Sequence, residues 1–380
     1  MRHGMILLCL VVGLAGCHSE NNVVEKVMED GVEVVNNGAE PYRIEGEKQP
    51  IGMEEEWIID LENEDIYDAG LYAIDTFAVD SEGNIYVISL KPEGHHVFKF
   101  TPAGDFEISF GQHGQGPGEL AAPIAMVEND EGELVVTDRD NAKLIFFDKQ
   151  GGLIREKALH RNVPFAHPLP NGNYVVFGRI SPDPEAATLN FPLELCDEEL
   201  DPLVLLDTFS IENFRQTRRL RGTMPGLGLA VGAGEIFIGN EARDFEIWVF
   251  NDEGALTRKI RKTYFPVPVD ESLKKKILAR YNENVRPMIY FPETLPPFRS
   301  MAADEKGWLF VSTFEKGRLP DQYLIDVFDP SGVLVGILSA SVLVDPDSPI
   351  NTIARNGRFF HMRETESGFK QLVVQKVIFQ

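Results

Sequence analysis

The side chains of this 380-residue sequence that could do chemistry are scattered rather than clustered. His113, His160 and His167 could together hold zinc, but their spacings follow no rule for a ligand set. His95-His96 reads as a solvated pair in a loop between strands. The run Gly111-Gln112-His113-Gly114-Gln115-Gly116-Pro117-Gly118 offers backbone amides that could cradle an anion. It lacks the Gly-Lys-Ser/Thr ending of a phosphate loop, and its glycines and proline equally suit a tight crossing. Arg139, Arg179, Arg243 and Arg299 recur at similar places in successive units, where they could ring a channel mouth and take carboxylate or phosphate ligands. The neighbours Asp138-Arg139 and Arg243-Asp244 suggest the alternative, that each arginine pairs with a nearby acid. Asp138-Arg139-Asp140-Asn141 lacks the remaining spacing of a calcium loop. Cys196 precedes Asp197-Glu198-Glu199, an acidic setting that disfavours a thiolate. No Gly-x-Ser-x-Gly elbow, His-Glu-x-x-His helix or Cys-x-x-Cys pair occurs. The candidate ligand-binding residues are therefore His113, Gln115, Arg139, His167, Arg179, Arg243 and Arg299, with no residue assigned to catalysis or a metal and no cofactor expected.

The elements that must position these residues are short β-strands. Phe77-Ala78-Val79, a turn at Asp80-Ser81-Glu82-Gly83-Asn84 and Ile85-Tyr86-Val87-Ile88 open a unit of four apolar segments that ends at Phe106–Phe110. The same apolar-turn-apolar pattern returns around Gly132, Gly172, Gly234, Gly307 and Gly357, so six units are counted. A second turn follows in most units, at Gly104, Gly151, Gly254 and Gly332, with a glycine-free version at Glu199-Leu200-Asp201. The sixth unit lacks one strand, and Glu55–Leu61, ahead of the first unit, has the character to supply it. Pairing the two ends closes the ring and removes exposed edges. The expected fold is all-β, a six-bladed β-propeller over 41–380 with N-to-C strand closure and one short helical insertion at about 266–298. That insertion contains Val269–Arg286 at helical spacing with Asp270 as its cap. Residues 181–196 read as a lengthened loop in the third unit.

Composition sets limits on partners. A net charge of −24 argues against nucleic acid or anionic lipid headgroups as partners of the folded surface. Phe (25) far exceeds Trp (3), as many small stacked β-layers require. Three cysteines at 9, 17 and 196 leave no intramolecular disulfide that avoids Cys17.

Residues 1–16 read as a signal peptide, with a basic start, the apolar run Ile6–Gly13 and small residues before Cys17. The Leu14-Ala15-Gly16-Cys17 ending resembles the bacterial lipobox, whose cysteine is lipidated. By that resemblance His18, in place of an inner-membrane-retaining Asp, implies the outer membrane, on its periplasmic or surface side. Residues 17–40 then form a polar tether in which Val32–Val35 could add a small hairpin.

Three features carry a wider resemblance. Ala78–Val87 looks like an NHL-type strand-turn-strand, Gly114-Gln115-Gly116-Pro117-Gly118-Glu119-Leu120 looks like a loop that follows a blade, and Tyr290–Ser300 looks like a helix-plus-loop insertion. Together they resemble the bacterial six-bladed β-propeller lipoproteins of the NHL-repeat/TolB-like superfamily. The resemblance implies a lipid-anchored, monomeric scaffold that binds an envelope protein, peptide or glycan and meets the membrane only through its N-terminal lipid. The alternative it leaves open is an extracytoplasmic hydrolase or lyase, gluconolactonase-like, with a metal at the central channel. A fold by itself supplies neither chemistry.

Overall fold

The repeating turn explains why the chain folds into blades. Asp80 begins the first one: its Oδ1 accepts the amides of Glu82 (3.0 Å) and Asn84 (2.8 Å), which fixes a five-residue reversal between two apolar strands. Asn129, Asp148, Asn251, Asp304 and Asp329 do the same for the amides two and four residues on. The fourth position needs a left-handed backbone, which Gly83 takes at φ +87° without a side-chain clash. In the glycine-free turn Leu200 holds φ +65°, and its side chain is buried in the core between blades 2 and 3. That burial offsets a backbone cost of roughly 1 kcal/mol.

The structure is a computed structural model describing residues 23–380 except 91–93, 160–162, 164, 179–184, 320, 343–351 and 366. Cys17, His160 and Arg179 lie outside the described residues. The protein is an all-β, six-bladed propeller. From the channel outward, blade 1 holds Thr76–Val79, Ile85–Ile88, His95–Phe100 and Phe106–Gln112, and blade 2 holds Pro123–Glu128, Leu134–Asp138, Lys143–Phe147 and Leu153–Ala158. Blade 3 holds Phe165–Pro168, Tyr174–Phe177, Thr188–Cys196 and Pro202–Glu212. Blade 4 holds Leu227–Gly232, Glu235–Asn240, Glu246–Asn251 and Leu256–Lys262, and blade 5 holds Ser300–Ala303, Leu309–Lys316, Tyr323–Phe328 and Leu334–Ala340. Blade 6 takes Thr352–Arg355, Arg358–Glu364 and Lys370–Phe379 from the C-terminal end and its outer strand, Pro50–Asp60, from the N-terminal side.

Closure is the expected one: Pro50–Asp60 runs antiparallel to Lys370–Phe379, with Ile59 opposite Leu372 and Trp57 opposite Val374. Apolar cores fill the gaps between blades, as Ile59, Phe77, Phe98 and Phe360 do between blades 6 and 1. Central strands such as Ile85–Ile88 and Lys143–Phe147 are buried along their whole length because both faces meet a neighbouring blade.

Two stretches go beyond or against the sequence-based expectation. The polar segment before the propeller forms the hairpin that Val32–Val35 allowed, Val24–Glu29 with Val32–Asn37, but its second strand also pairs in parallel with Leu256–Lys262. Blade 4 thus becomes a six-stranded sheet, because Val34 and Val35 gain full burial there and Asn37 bonds across to Gly332 and Leu334 of blade 5. The second is 181–196, expected as a loop. Thr188–Cys196 is instead a long third strand against Pro202–Glu212, stabilised where Phe177 stacks on Phe191 at 5.8 Å.

The insertion helix is shorter than its periodicity suggested. It spans Glu271–Leu278, with Asp270 accepting the Leu273 amide at 2.7 Å. Arg286 ends the segment by donating Nε to the carbonyls of Leu278 and Tyr281, and Pro287 cannot continue a helix.

Candidate functional site

The two faces of the ring are built differently. On one face every reversal within a blade is short, two to five residues. The other face carries the connections from each blade to the next, including 61–75, 213–226 and 263–299. Loops of that length supply side chains that strand packing does not use, so the joining face is where recognition can reside.

The glycine-rich crossing from blade 1 to blade 2 is on this face, and the amides of Gly114, Gly116 and Gly118 are already occupied. Gly114 N donates to Leu120 O (2.9 Å), Gly116 N to Glu119 Oε2 (2.8 Å) and Gly118 N to Glu156 Oε1 (2.9 Å). The anion this loop holds is its own pair of carboxylates. Lys143 closes the arrangement through Gly116 O (3.2 Å) and Glu156 (2.8 Å), and Asn141 bonds Gly114 O. Burial works to raise the Glu156 carboxyl, but Lys143 and the Gly118 amide bring it below its ordinary value. A β-carbon on Gly114 would run into the Glu119 carboxylate. Gly114→Ala is therefore expected to lower the unfolding free energy by about 1–3 kcal/mol, the cost of unhooking a part-buried polar group. Gly52→Ala meets nothing within 4 Å and is the control, expected within about 0.5 kcal/mol in the same denaturant titration. Equal effects would show that the crossing simply shifts to make room. Gln115, within this loop, is exposed.

His113 begins the crossing and has a partner the sequence hid. His96, expected in a solvated loop, is on the third strand of blade 1 and fully buried. Its Nδ1 lies 2.7 Å from Ser89 O, an acceptor only, so that nitrogen carries the proton. His96 Nε2 is 3.1 Å from His113 Nδ1, which makes the neutral pair a relay with His113 donating from Nδ1. His113 Nε2 is then left unprotonated on an exposed side chain, a hydrogen-bond acceptor held in place from behind. Strand burial of the His-His-Val-Phe-Lys-Phe segment was the available signal, masked by its two polar leading residues.

His167 does not join His113. It is on Phe165–Pro168, the innermost strand of blade 3, which runs from the joining face toward the short-turn face. It keeps partial solvent contact along the channel yet is surrounded by protein, and that burial, reinforced by the charge of Arg355, pushes its pKa down to about 4. Arg355 is at the far end of the channel, bonded to Val79 O (3.2 Å) and Glu128 (3.3 Å). Among the described residues no three His, Cys, Asp or Glu side chains converge to hold a metal ion.

The described arginines do not form an open ring. Arg139 is exposed but bonded to Asp140 at 2.8 Å. Arg243 lies on the Trp248 ring (3.9 Å) and bonds Asp207 at 2.8 Å, locking blade 3 to blade 4. Arg299 is part-buried at the entry to blade 5, where its amide donates to Ser312 O.

What the face does present is two poles. Over the junction of blades 6 and 1, the connection 61–75 carries five carboxylates and no basic residue. Asn63 caps its helix Glu64–Asp68, placing Glu64 and Asp65 where the helix N-terminus favours negative charge. Leu61, Glu62, Glu64, Tyr67, Asp68 and Phe369 line an open depression of about 560 Å³. Tyr67 is 58% exposed and Phe369 46%, and Tyr67 meets Tyr72 edge-on at 4.8 Å. Across the ring, 213–226 carries four arginines and no carboxylate, and 263–299 adds six basic residues against four acidic. A two-residue parallel pairing, Leu220–Arg221 with Ile289–Tyr290, ties these two connections into one cap. Neither pole was legible as a site in the sequence, because each is assembled from connections and partners far apart in the chain.

A family model described as a 6-bladed beta-propeller, DUF5128, matches residues 61–204. No curated protein matches the chain. Among solved structures, a Bacteroides fragilis protein described as exported is similar with a TM-score of 0.52 at 12% identity, over 86% of this chain and 95% of that one. A member of the DUF4221 family from Bacteroides vulgatus gives 0.47 at 10%, over 95% and 99%. A gluconolactonase from Xanthomonas campestris gives 0.42 at 13%, over 80% and 86%. At these identities the likeness is one of fold.

Proposed function

We propose that this protein is a lipid-anchored, extracytoplasmic propeller that binds a basic peptide or protein segment at the acidic, aromatic pole of its joining face. The observation that carries the reading is the depression lined by Tyr67, Phe369, Glu62, Glu64 and Asp68. Exposed rings beside uncompensated carboxylates suit Lys and Arg side chains, whose charge meets both an acid and a ring face.

The address rests on Leu14-Ala15-Gly16-Cys17, on His18 at the following position, and on the exported description of the Bacteroides fragilis protein. A lipidated Cys17 would hold the domain at the outer membrane, and the NHL-repeat/TolB-like resemblance supports the same placement. Palmitate labelling of the wild-type chain, abolished in Cys17→Ser, is the expected result.

Binding is tested by titrating Lys/Arg-rich and neutral peptides and neutral oligosaccharides against the wild type and Tyr67→Ala. Salt-sensitive binding of the basic peptides, weakened about tenfold or more by Tyr67→Ala, is expected. Tyr67 is largely exposed, so the variant keeps its fold. Salt-insensitive binding of oligosaccharides alone, or an affinity that Tyr67→Ala leaves unchanged, would sink the assignment.

A further inference from the structure

We infer that the basic cap over blades 3 to 5 is a docking surface for an anionic phospholipid leaflet, which holds the propeller with its joining face tilted onto the membrane at blade 4. Given a lipid at Cys17, as proposed above, the geometry of chain entry selects this face. Val23 O accepts the Gly38 amide (3.0 Å), and Asn37 O accepts the Thr263 amide (3.0 Å). Val23 is therefore two strand spacings, about 10 Å, from the residue where the connection 263–299 begins. Five residues lie between Cys17 and Val23, so six residue steps reach about 20 Å at most. A membrane holding the lipid is thus brought beside the cap.

The net charge of −24 opposes anionic headgroups over the surface as a whole, but the cap is a local exception, with four arginines and no carboxylate in 213–226. Arg215, Arg218, Lys275 and Lys276 are exposed and make no ion pair among the described residues, whereas most other cations of this acidic chain do. On the helix Glu271–Leu278 the lysines face outward because Ile277 is buried and Leu273 packs against the core of Val269, Leu295 and Phe314. Phe265, 69% exposed, and Met224, 45% exposed, lie on the same two connections. Basic side chains around isolated apolar ones are the composition of a surface that lies at the headgroup boundary. The acidic pole across the ring is repelled by the same leaflet, which fixes the tilt and leaves the proposed ligand site away from the lipid.

The mature chain from residue 17 carrying Cys17→Ser separates docking from anchoring, since it has neither signal peptide nor lipid. It is floated with phosphatidylcholine vesicles with and without phosphatidylglycerol, at low and high salt. Salt-sensitive binding only to the phosphatidylglycerol vesicles is expected. Combined Arg215→Glu, Arg218→Glu, Lys275→Glu and Lys276→Glu should weaken it by about tenfold or more, and Phe265→Asp should weaken it independently. These side chains are exposed, and an unchanged melting temperature confirms that the variants fold. Equal binding to both vesicle types, or an unaltered charge-reversed variant, overturns the inference. So does capture of an acidic soluble protein by the cap with no vesicle binding. Failure of palmitate labelling in the wild type would remove the anchor but leave this vesicle result standing.

Discussion

Lys262→Met is expected to lower the unfolding free energy by about 3–5 kcal/mol. Lys262 and Asp326 form an ion pair at 2.6 Å between blades 4 and 5, with side chains 3% and 0% exposed. Asp326 Oδ1 has no hydrogen-bond partner, so the lysine alone compensates the carboxylate. Removing it strands a buried charge. Burial raises the Asp326 carboxyl from 3.8 to about 6, against the opposing pull of Lys262. A raised carboxyl holds its proton more tightly in the folded than in the unfolded protein. Stability from this group therefore falls as pH rises from about 4 to about 6. Without Lys262 the carboxyl is raised further, so the defect of Lys262→Met should be smaller at pH 5 than at pH 8. Denaturant unfolding at both values checks this, and Lys262→Met/Asp326→Leu should recover much of the loss. A pH-independent defect below about 1 kcal/mol would mean the pair is solvated.

Ile59→Ala is expected to cost about 3 kcal/mol, while Ile51→Ala on the same strand stays within about 0.5 kcal/mol. Both residues belong to Pro50–Asp60, the strand that closes blade 6. Ile59 is fully buried between blades 6 and 1, whereas Ile51 is 57% exposed. The contrast isolates closure: a chain in which this strand were only an appendage would tolerate both substitutions alike. Loss of the closing strand also exposes the edge of Lys370–Phe379, so Ile59→Ala should aggregate sooner on heating than an equally destabilised variant elsewhere.

The fold was legible because its cause is local and repeated. An Asp or Asn accepting two amides, a glycine three residues later and apolar runs on either side specify a hairpin wherever they occur. With the sixth unit short by one strand, Trp57-Ile58-Ile59 was the available complement. The candidate site was less legible. Arg243 was paired by its neighbour to Asp244, but Asp207, from the preceding blade, reaches it instead. His96 was hidden by its exposed neighbour His95, since alternate strand residues face different surroundings.

The blade, the number of blades and the closure of the ring follow from the sequence alone, because turn chemistry and two-residue periodicity act over a few residues. Which polar groups remain available is a matter of tertiary packing. The Gly116 and Gly118 amides of the crossing are satisfied by Glu119 and Glu156, and Arg243 and Arg355 by acids from other blades. Left over are an acidic depression at Tyr67 and a basic cap at Arg215 and Lys275, on opposite sides of one face. Pairing between side chains distant in the chain is set by how blades stack, and no spacing along the sequence encodes it.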